Sequence, residues 1–290
     1  MNLPRELNRD ELRSFPLPRW KDTDKDEHGR LLICAGSRDV PGSAILSANA
    51  AFRSGAGKVQ LATAKSVAPG IALLIPELLV IGMDETEDGG FDESSVDVLS
   101  NRSQRVDAIL AGPGMRWNDA LQSISCVLLE TGRPLVLDAA VLHALSAVED
   151  VCGSSATQPV LLPHSGEMAA LLGCTEEEVD RDRLSAALEA ADRYGAIVLA
   201  KGSTSFIASP DGRTWAWHGG VPGLGVAGSG DVLAGIVAAL LARGTEPLTA
   251  LLWGVLLHGE AGELLSKEIG PIGFRASEIP DQIPKLLETQ

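Results

Sequence analysis

Apolar residues in this chain fall mostly in short, nearly unbroken runs. They include Leu31-Leu-Ile-Cys-Ala35, Lys58-Val-Gln-Leu-Ala62, Leu78-Leu-Val-Ile81 and Ala108-Ile-Leu-Ala111. Leu135-Val-Leu137, Pro159-Val-Leu-Leu162 and Ala196-Ile-Val-Leu-Ala200 continue the theme. Runs of this kind predict strands buried on both faces, as in a parallel sheet covered by helices. Helical spacing falls between several of them, at 42–53, 118–130 and 139–147. The stretch 176–194, rich in Glu, Arg, Ala and Leu, predicts one exposed amphipathic helix. Ser205-Phe-Ile-Ala208 and Thr214-Trp-Ala-Trp217 flank Pro210-Asp-Gly212, a turn by its chemistry, and predict a hairpin. Helices over 229–242, roughly 247–268 and 276–287 close the chain. Strands alternating with helices make this an α/β fold with a central, mainly parallel sheet. Residues 1–27 are polar, with the charge run Lys21-Asp-Thr-Asp-Lys-Asp-Glu27, and predict an N-terminal arm with no fold signal of its own. The remainder, 28–290, carries no repeat or linker and predicts one domain.

Composition narrows the partners. Formal net charge is −15, which repels nucleic acid and anionic membrane, so neither is expected. The apolar runs 232–242 and 248–257 are too short to span a bilayer. The N-terminus is too polar for a signal peptide, and a cytoplasmic protein is expected. Cys34, Cys126, Cys152 and Cys174 form no C-x-x-C pair and read as reduced thiols.

The chemistry concentrates where strands end, which is where open α/β sheets bind ligands. Gly223-Leu-Gly-Val-Ala-Gly-Ser-Gly-Asp231 is a glycine-dense loop running into an apolar helix. Such a loop can turn backbone N–H groups toward one anion at a helix start. Asp231 adds a carboxylate there, as phosphoryl transfer to a hydroxyl requires: a base for the attacking oxygen beside donors for the phosphate charge. The plainer reading makes Asp231 a helix cap. Gly223 to Gly228 also matches G-x-G-x-x-G, but the helices that follow offer no βαβ unit to complete a dinucleotide fingerprint.

Other strand ends carry Ala35-Gly-Ser37 with Pro41-Gly-Ser-Ala44, Gly112-Pro-Gly114, Asp138, Pro163-His164-Ser-Gly-Glu167 and Lys201-Gly-Ser-Thr-Ser205. Taken singly, Gly-Pro-Gly is a turn, Asp138 a cap, His164 a hydrogen-bonded turn histidine and Glu167 a first-turn carboxylate favoured by the helix dipole. Lys201 follows five apolar residues, so it faces a site at a strand end more readily than a surface lysine would. Gly55-Ala-Gly-Lys58 is followed by Val59, so no P-loop is present.

In this order the motifs resemble the ADP/ATP-dependent NAD(P)H-hydrate dehydratases of the ribokinase-like superfamily. The likeness is carried by Leu32-Ile-Cys-Ala-Gly-Ser37, Pro41-Gly-Ser-Ala44, Arg53-Ser-Gly-Ala-Gly57, Gly112-Pro-Gly114 and Leu137-Asp-Ala139. Pro163-His164, Gly166-Glu167, Lys201-Gly202 and Gly228-Ser-Gly-Asp-Val-Leu-Ala-Gly235 complete it, over roughly residues 28–288. The resemblance implies a three-layer α/β/α fold. It implies repair of hydrated NADH or NADPH in the S form: ADP or ATP phosphorylates the hydrate hydroxyl, and phosphate leaves. It assigns Asp231 as base and Ala227, Gly228, Ser229 and Gly230 as anion hole. Lys201, Gly202, Ser203, Thr204, Ser205 and Gly230 would bind the nucleotide. Ala44, Gly114, His164 and Asp231 would bind the hydrate, and Glu167 would organise Mg²⁺ through water. It further implies a homo-oligomer, a tetramer by preference, working with a separate NAD(P)H-hydrate epimerase. Two departures bear on the edge of the hydrate pocket. Val221-Pro-Gly-Leu-Gly-Val226 stands where the family often has Asn-Pro-Gly-x-Ala-Thr, and Asp138-Ala-Ala-Val-Leu142 where it often has Asp-Ala-Asp-Ala-Leu.

Two other readings remain open from the residues. An ATP-dependent kinase of the same fold, acting on a vitamin precursor or small alcohol, would use the Asp231 machinery equally well. A nucleotide-binding sensor would not need Asp231 at all.

Overall fold

The computed structural model describes residues 3–18 and 28–288. Its strands are β1 (Arg5–Glu6), β2 (Arg30–Cys34), β3 (Lys58–Ala64), β4 (Leu79–Met83) and β5 (Ala108–Ala111). They continue with β6 (Leu135–Leu137), β7 (Val160–Leu161), β8 (Ile197–Ala200), β9 (Ser205–Ala208) and β10 (Thr214–Trp217). All ten join one sheet in the order β1-β10-β9-β8-β7-β6-β5-β2-β3-β4. Only β9 runs against its neighbours, pairing antiparallel with β8 and β10.

Away from the β4 edge the apolar runs have a simple cause, since both faces of the sheet are covered; β4 itself corrects the expectation, being an edge strand with Leu79 48% exposed. Leu31 and Ile33 of β2 point to one core, with Leu61, Leu110, Val136 and Leu199 from other strands. Leu32 and Cys34 point to the other, with Ala62, Ile109, Leu137 and Val198. Alternate residues of one strand therefore serve two cores, and no polar face is left. Helices Gly42–Arg53, Ser229–Ala242 and Pro247–Glu268 cover the first face. Ser95–Ser103, Ala120–Glu130, Ser165–Leu172 and Arg183–Tyr194 cover the second. The result is the three-layer α/β/α sandwich expected from the alternation.

Ser229–Ala242 is buried all round because it lies between the sheet and two other helices. Gly235 lets helix Gly42–Arg53 come close, since a Cβ there would overlap the Ser47 carbonyl. The Ser47 hydroxyl donates to the Asp231 carbonyl at 3.0 Å. This contact fixes the helix start that carries Asp231 against the residues following β2.

Several local expectations are corrected. The stretch 176–194 is two helices, Glu176–Arg181 and Arg183–Tyr194, because Asp182 leaves helical geometry and its carboxylate caps the Ser185 amide. Ala139–Ala147 is a 3₁₀ helix, as is Ala276–Gln282, which contains Pro280 and precedes the short helix Ile283–Glu288. Helices Ala68–Leu74, Ser95–Ser103, Glu149–Gly153 and Ser165–Leu172 add to those expected.

The N-terminal arm is also more than a polar leader where it is described. β1 adds to the edge of β10, and Leu7, Leu12 and Leu17 are buried. Trp215 Nε1 donates to Glu11 at 2.9 Å, and Arg9 Nε donates to Glu260 at 2.9 Å. A free sheet edge supplied partners that local sequence could not reveal. The charge run 21–27 lies outside the described residues.

No helix among the described residues is long and apolar enough to cross a membrane. The four cysteines are free, and burial pushes the Cys34 and Cys152 thiols up to about 12.

Candidate active site

From β2 the chain steps outward to β3 and β4. It then returns to the other side of β2 with β5 and proceeds outward through β6, β7 and β8. Strand order therefore reverses between β2 and β5, and the carboxyl ends on either side of this switch gather the expected motifs. Gly112 follows β5 at φ +121°, and any Cβ there would overlap the Asp138 carbonyl. Gly114, at φ +63°, lies against Ser43; an added Cβ would stand 2.6 Å from the Ser43 Cβ. These glycines press the β5 loop onto the loops following β2 and β6. Ala44, in the first turn of helix Gly42–Arg53, is fully buried beside Gly36.

Three adjacent strands, β6, β7 and β8, present Asp138, Glu167 and Lys201. Lys201 Nζ lies 2.8 Å from Asp138 Oδ1 and 3.9 Å from Glu167 Oε2. Asp138 is thus not a helix cap: it occupies that position, but its side chain makes no cap bond and reaches Lys201 instead. Ala139, directly after it, has φ +51°, an uncommon conformation for a residue with a side chain. Burial disfavours the Lys201 ammonium, yet Asp138, Glu167 and Asp231 outweigh it and raise its pKa. Burial also raises the Glu167 pKa, with Lys201 opposing.

His164 and Glu167 are a capped helix start. The His164 Nδ1 accepts from the Gly166 and Glu167 amides at 3.0 and 3.3 Å. Glu167 Oε2 accepts from the His164 amide at 2.9 Å. The imidazole nevertheless stays 60% exposed and lines a pocket. The structural and the ligand-facing readings of His164 are therefore compatible.

Asp231 lies in the first turn of Ser229–Ala242. Burial raises its pKa; the Ser43 hydroxyl works the other way, Asp138 raises it again and Lys201 lowers it. Gly228 starts the helix at φ +90° and offers no side-chain cap. The amides of Gly230 and Asp231 make no bond to protein among the described residues, as first-turn amides do when no cap is present. Gly230 itself is helical, so its value is the missing side chain: a Cβ would point between Lys201 Nζ at 3.7 Å and Asp138 Oδ2 at 3.9 Å. Ser229 is tied back to buried His258, Oγ to Nε2 at 3.0 Å. Burial drives the His258 pKa down to about 4, so it is a neutral anchor.

Beside this helix start opens a pocket of about 720 Å³, of a size suited to a nucleoside-sized ligand. Lys201, Gly202, Ser203, Ser205 and Gly230 line it, as do Ser229 and His164. Thr204 does not; its hydroxyl pairs with His218 Nδ1 at 3.2 Å. The apolar wall comprises Trp217, Val221, Pro222, Leu224, Leu233 and Val255. The sequence reading missed Trp217 and His258. The signal for Trp217 was faint: Gly219 and Gly259, where a Cβ would overlap its indole. Val221 sits in this wall, so the departure at 221–226 alters this pocket.

Lys201→Ala leaves Asp138 and Glu167 buried without their cation and is expected to cost roughly 2–3 kcal/mol. Burial already raises the Glu167 pKa against Lys201, so without the ammonium Glu167 titrates further above its unfolded value. The folded form then binds protons that the unfolded chain does not, so the deficit shrinks as pH falls. Urea unfolding at pH 8 and pH 5 checks this; an equal deficit at both contradicts the charge cluster.

The model of the NAD(P)H-hydrate dehydratase family matches residues 31–285. The chain belongs to this family. It is 44% identical to an ADP-dependent (S)-NAD(P)H-hydrate dehydratase of Xanthomonas campestris, over 96% of this chain and 94% of the relative. It is 35% identical to a bifunctional NAD(P)H-hydrate repair enzyme of Thermofilum pendens, over 93% of this chain but 52% of that protein. Among solved structures, the Bacillus subtilis ADP/ATP-dependent NAD(P)H-hydrate dehydratase co-crystallized with ATP/Mg²⁺ superposes with a TM-score of 0.82. It is 28% identical and covers 100% of this chain and 99% of its own. A ribokinase-like superfamily protein from Enterococcus faecalis gives a TM-score of 0.83 at 25% identity, over 100% and 98%. The ribokinase-like fold expected of the family is the fold observed. Every motif that carried the resemblance to the dehydratases lies on the switch-point side of the sheet or in the helix start above it, apart from the Arg53–Gly57 turn.

Proposed function

We propose that this chain restores NADH or NADPH from the S form of its hydrate, using ADP or ATP. The observation that carries the reading is Asp231: a half-buried carboxyl of raised pKa, in a helix turn with unpaired amides, directly after Gly230, which lines the nucleoside-sized pocket. Asp231 takes the proton of the hydrate hydroxyl. That oxygen attacks the terminal phosphorus of the nucleotide, and the bridging P–O bond breaks to release AMP from ADP, or ADP from ATP. The amides from Ala227 to Gly230 hold the charge that grows on the phosphoryl oxygens. The carbon–oxygen bond of the hydrate then breaks, phosphate leaves, and the neighbouring ring carbon gives up a proton to restore the double bond.

Lys201, Gly202, Ser203, Thr204, Ser205 and Gly230 bind the nucleotide in this scheme. Ala44, Gly114, His164 and Asp231 bind the hydrate. No cluster of three or more metal-ligating side chains occurs among the described residues. Asp138 and Glu167 instead suit an ion held chiefly by phosphates and water, as Mg²⁺ prefers. Glu167 would act on it through water, and Mg²⁺ when bound would neutralise phosphate charge. A separate epimerase supplying the S form, a homotetramer and a cytoplasmic location complete the reading.

The test is to mix the protein with Mg²⁺, NADH hydrate and either nucleotide. Return of the dihydronicotinamide absorbance with matching phosphate release is expected. A stable phosphorylated alcohol, with no absorbance change, would mark a small-molecule kinase instead.

A further inference from the structure

The reaction proposed above acts on a dinucleotide, and the pocket beside Lys201 belongs to the phosphoryl donor. Of the residues assigned to the hydrate, His164 borders that pocket, whereas Ala44, Gly114 and Asp231 do not line it. In the sheet, the donor pocket lies over β8 and β9, while β5 and β2 lie beyond β6 on the other side. The hydrate therefore approaches Asp231 over β5 and β2, and its adenylate half must extend past Gly114.

What lies past Gly114 is Met115-Arg-Trp117, with at most roughly 10 Å of chain from Gly114 to Trp117. Trp117 is 55% exposed, whereas Trp215, Trp217 and Trp253 are buried. It meets His143, on the 3₁₀ helix after β6, edge to face at 6.4 Å and 69°. Two guanidiniums accompany it. Arg116 pairs with Asp39 at 3.0 Å and Asp88 at 3.9 Å. Arg38, on the loop after β2, donates to the Glu87 carbonyl at 2.8 Å. These contacts are exposed and worth little, so either guanidinium can exchange them for a phosphate. On a chain of net charge −15, two arginines and an open indole on neighbouring loops are a grouping suited to a phosphate and a base, with Asp39 and Asp88 the groups a phosphate would displace from Arg116.

We propose that Trp117, Arg116 and Arg38 form the subsite for the adenosine diphosphate half of the hydrate. The indole stacks on the base and the guanidiniums hold the diphosphate. The subsite rests on the function proposed above, and it makes these residues determinants of specificity, remote from the reacting atoms.

The experiment compares NADH hydrate with the hydrate of reduced nicotinamide mononucleotide, which lacks the adenylate half. Wild-type enzyme is expected to prefer the dinucleotide. Trp117→Ala should raise the KM for NADH hydrate about tenfold, with kcat and the KM for ADP little moved, and so erase most of that preference. Trp117→Phe should retain most of it, and Arg116→Gln should reduce it in a salt-dependent way. Wild-type enzyme inert on both hydrates overturns the assigned reaction and the subsite with it. Wild-type enzyme active on both, with a preference that Trp117→Ala leaves intact, overturns the subsite alone. So does a Trp117→Ala loss as large on the mononucleotide as on the dinucleotide.

Discussion

Asp231→Asn is expected to lower kcat by about 10²–10⁴-fold while ADP affinity stays near that of the wild type. The substitution keeps size and helix position but removes the carboxylate proposed to take the hydroxyl proton. The pH profile adds a signature. Burial lifts the Asp231 pKa above the usual carboxylate range, with Asp138 adding to the rise against Ser43 and Lys201. A base works only when deprotonated, so wild-type kcat should climb with pH through that raised value. In Asp231→Asn this acidic limb should vanish from the residual rate. Turnover close to normal, or an unchanged acidic limb, would remove Asp231 from the role of base.

Gly230→Val is expected to fold and yet to lose nucleotide affinity by about 10–100-fold, on the order of 1.4–2.8 kcal/mol, because its side chain fills space that the phosphate would occupy. A left-handed backbone at Gly230 would have been one reason for its glycine, but the structure assigns that conformation to Gly228, at φ +90°. At Gly230 the backbone is helical and tolerates any side chain. An added Cβ meets no wall; it enters the space facing Lys201 and Asp138. A β-branched residue in a first helical turn costs well under about 1 kcal/mol in propensity. The loss should therefore fall on phosphate binding and not on folding. Circular dichroism and ADP titration separate the two; wild-type affinity in a folded variant would make the loop a structural turn only. Gly228→Ala is a useful contrast, because there a Cβ would overlap the Leu46 side chain and the backbone itself would be strained.

Both arguments depend on what strand order brings together. Lys201 and Asp138 are 63 residues apart in sequence. Each was visible as a residue at a strand end, but nothing local says that β6, β7 and β8 are consecutive neighbours. Asp138 illustrates the difficulty. Its sequence context fits a helix cap, and only the nearby Lys201 ammonium draws the carboxylate away from the cap. His164 illustrates the converse, since a ligand-facing place was expected of it from the resemblance, while its capping of the Gly166 and Glu167 amides came only from the structure.

The sequence by itself determined the class of the fold, because short apolar runs alternating with helical spacing favour a sheet covered on both faces, although the run 78–81 became an exposed edge. It also determined the glycine-led start of helix Ser229–Ala242 and the Pro210-Asp-Gly212 hairpin, both properties of short contiguous stretches. Tertiary structure decided the Asp138–Glu167–Lys201 cluster, the Trp217 wall of the pocket and the docking of residues 3–18 on β10. These depend on which strands become neighbours and which edge stays open. Local propensity carries no record of either, because the energy that settles them comes from contacts between residues far apart in the chain.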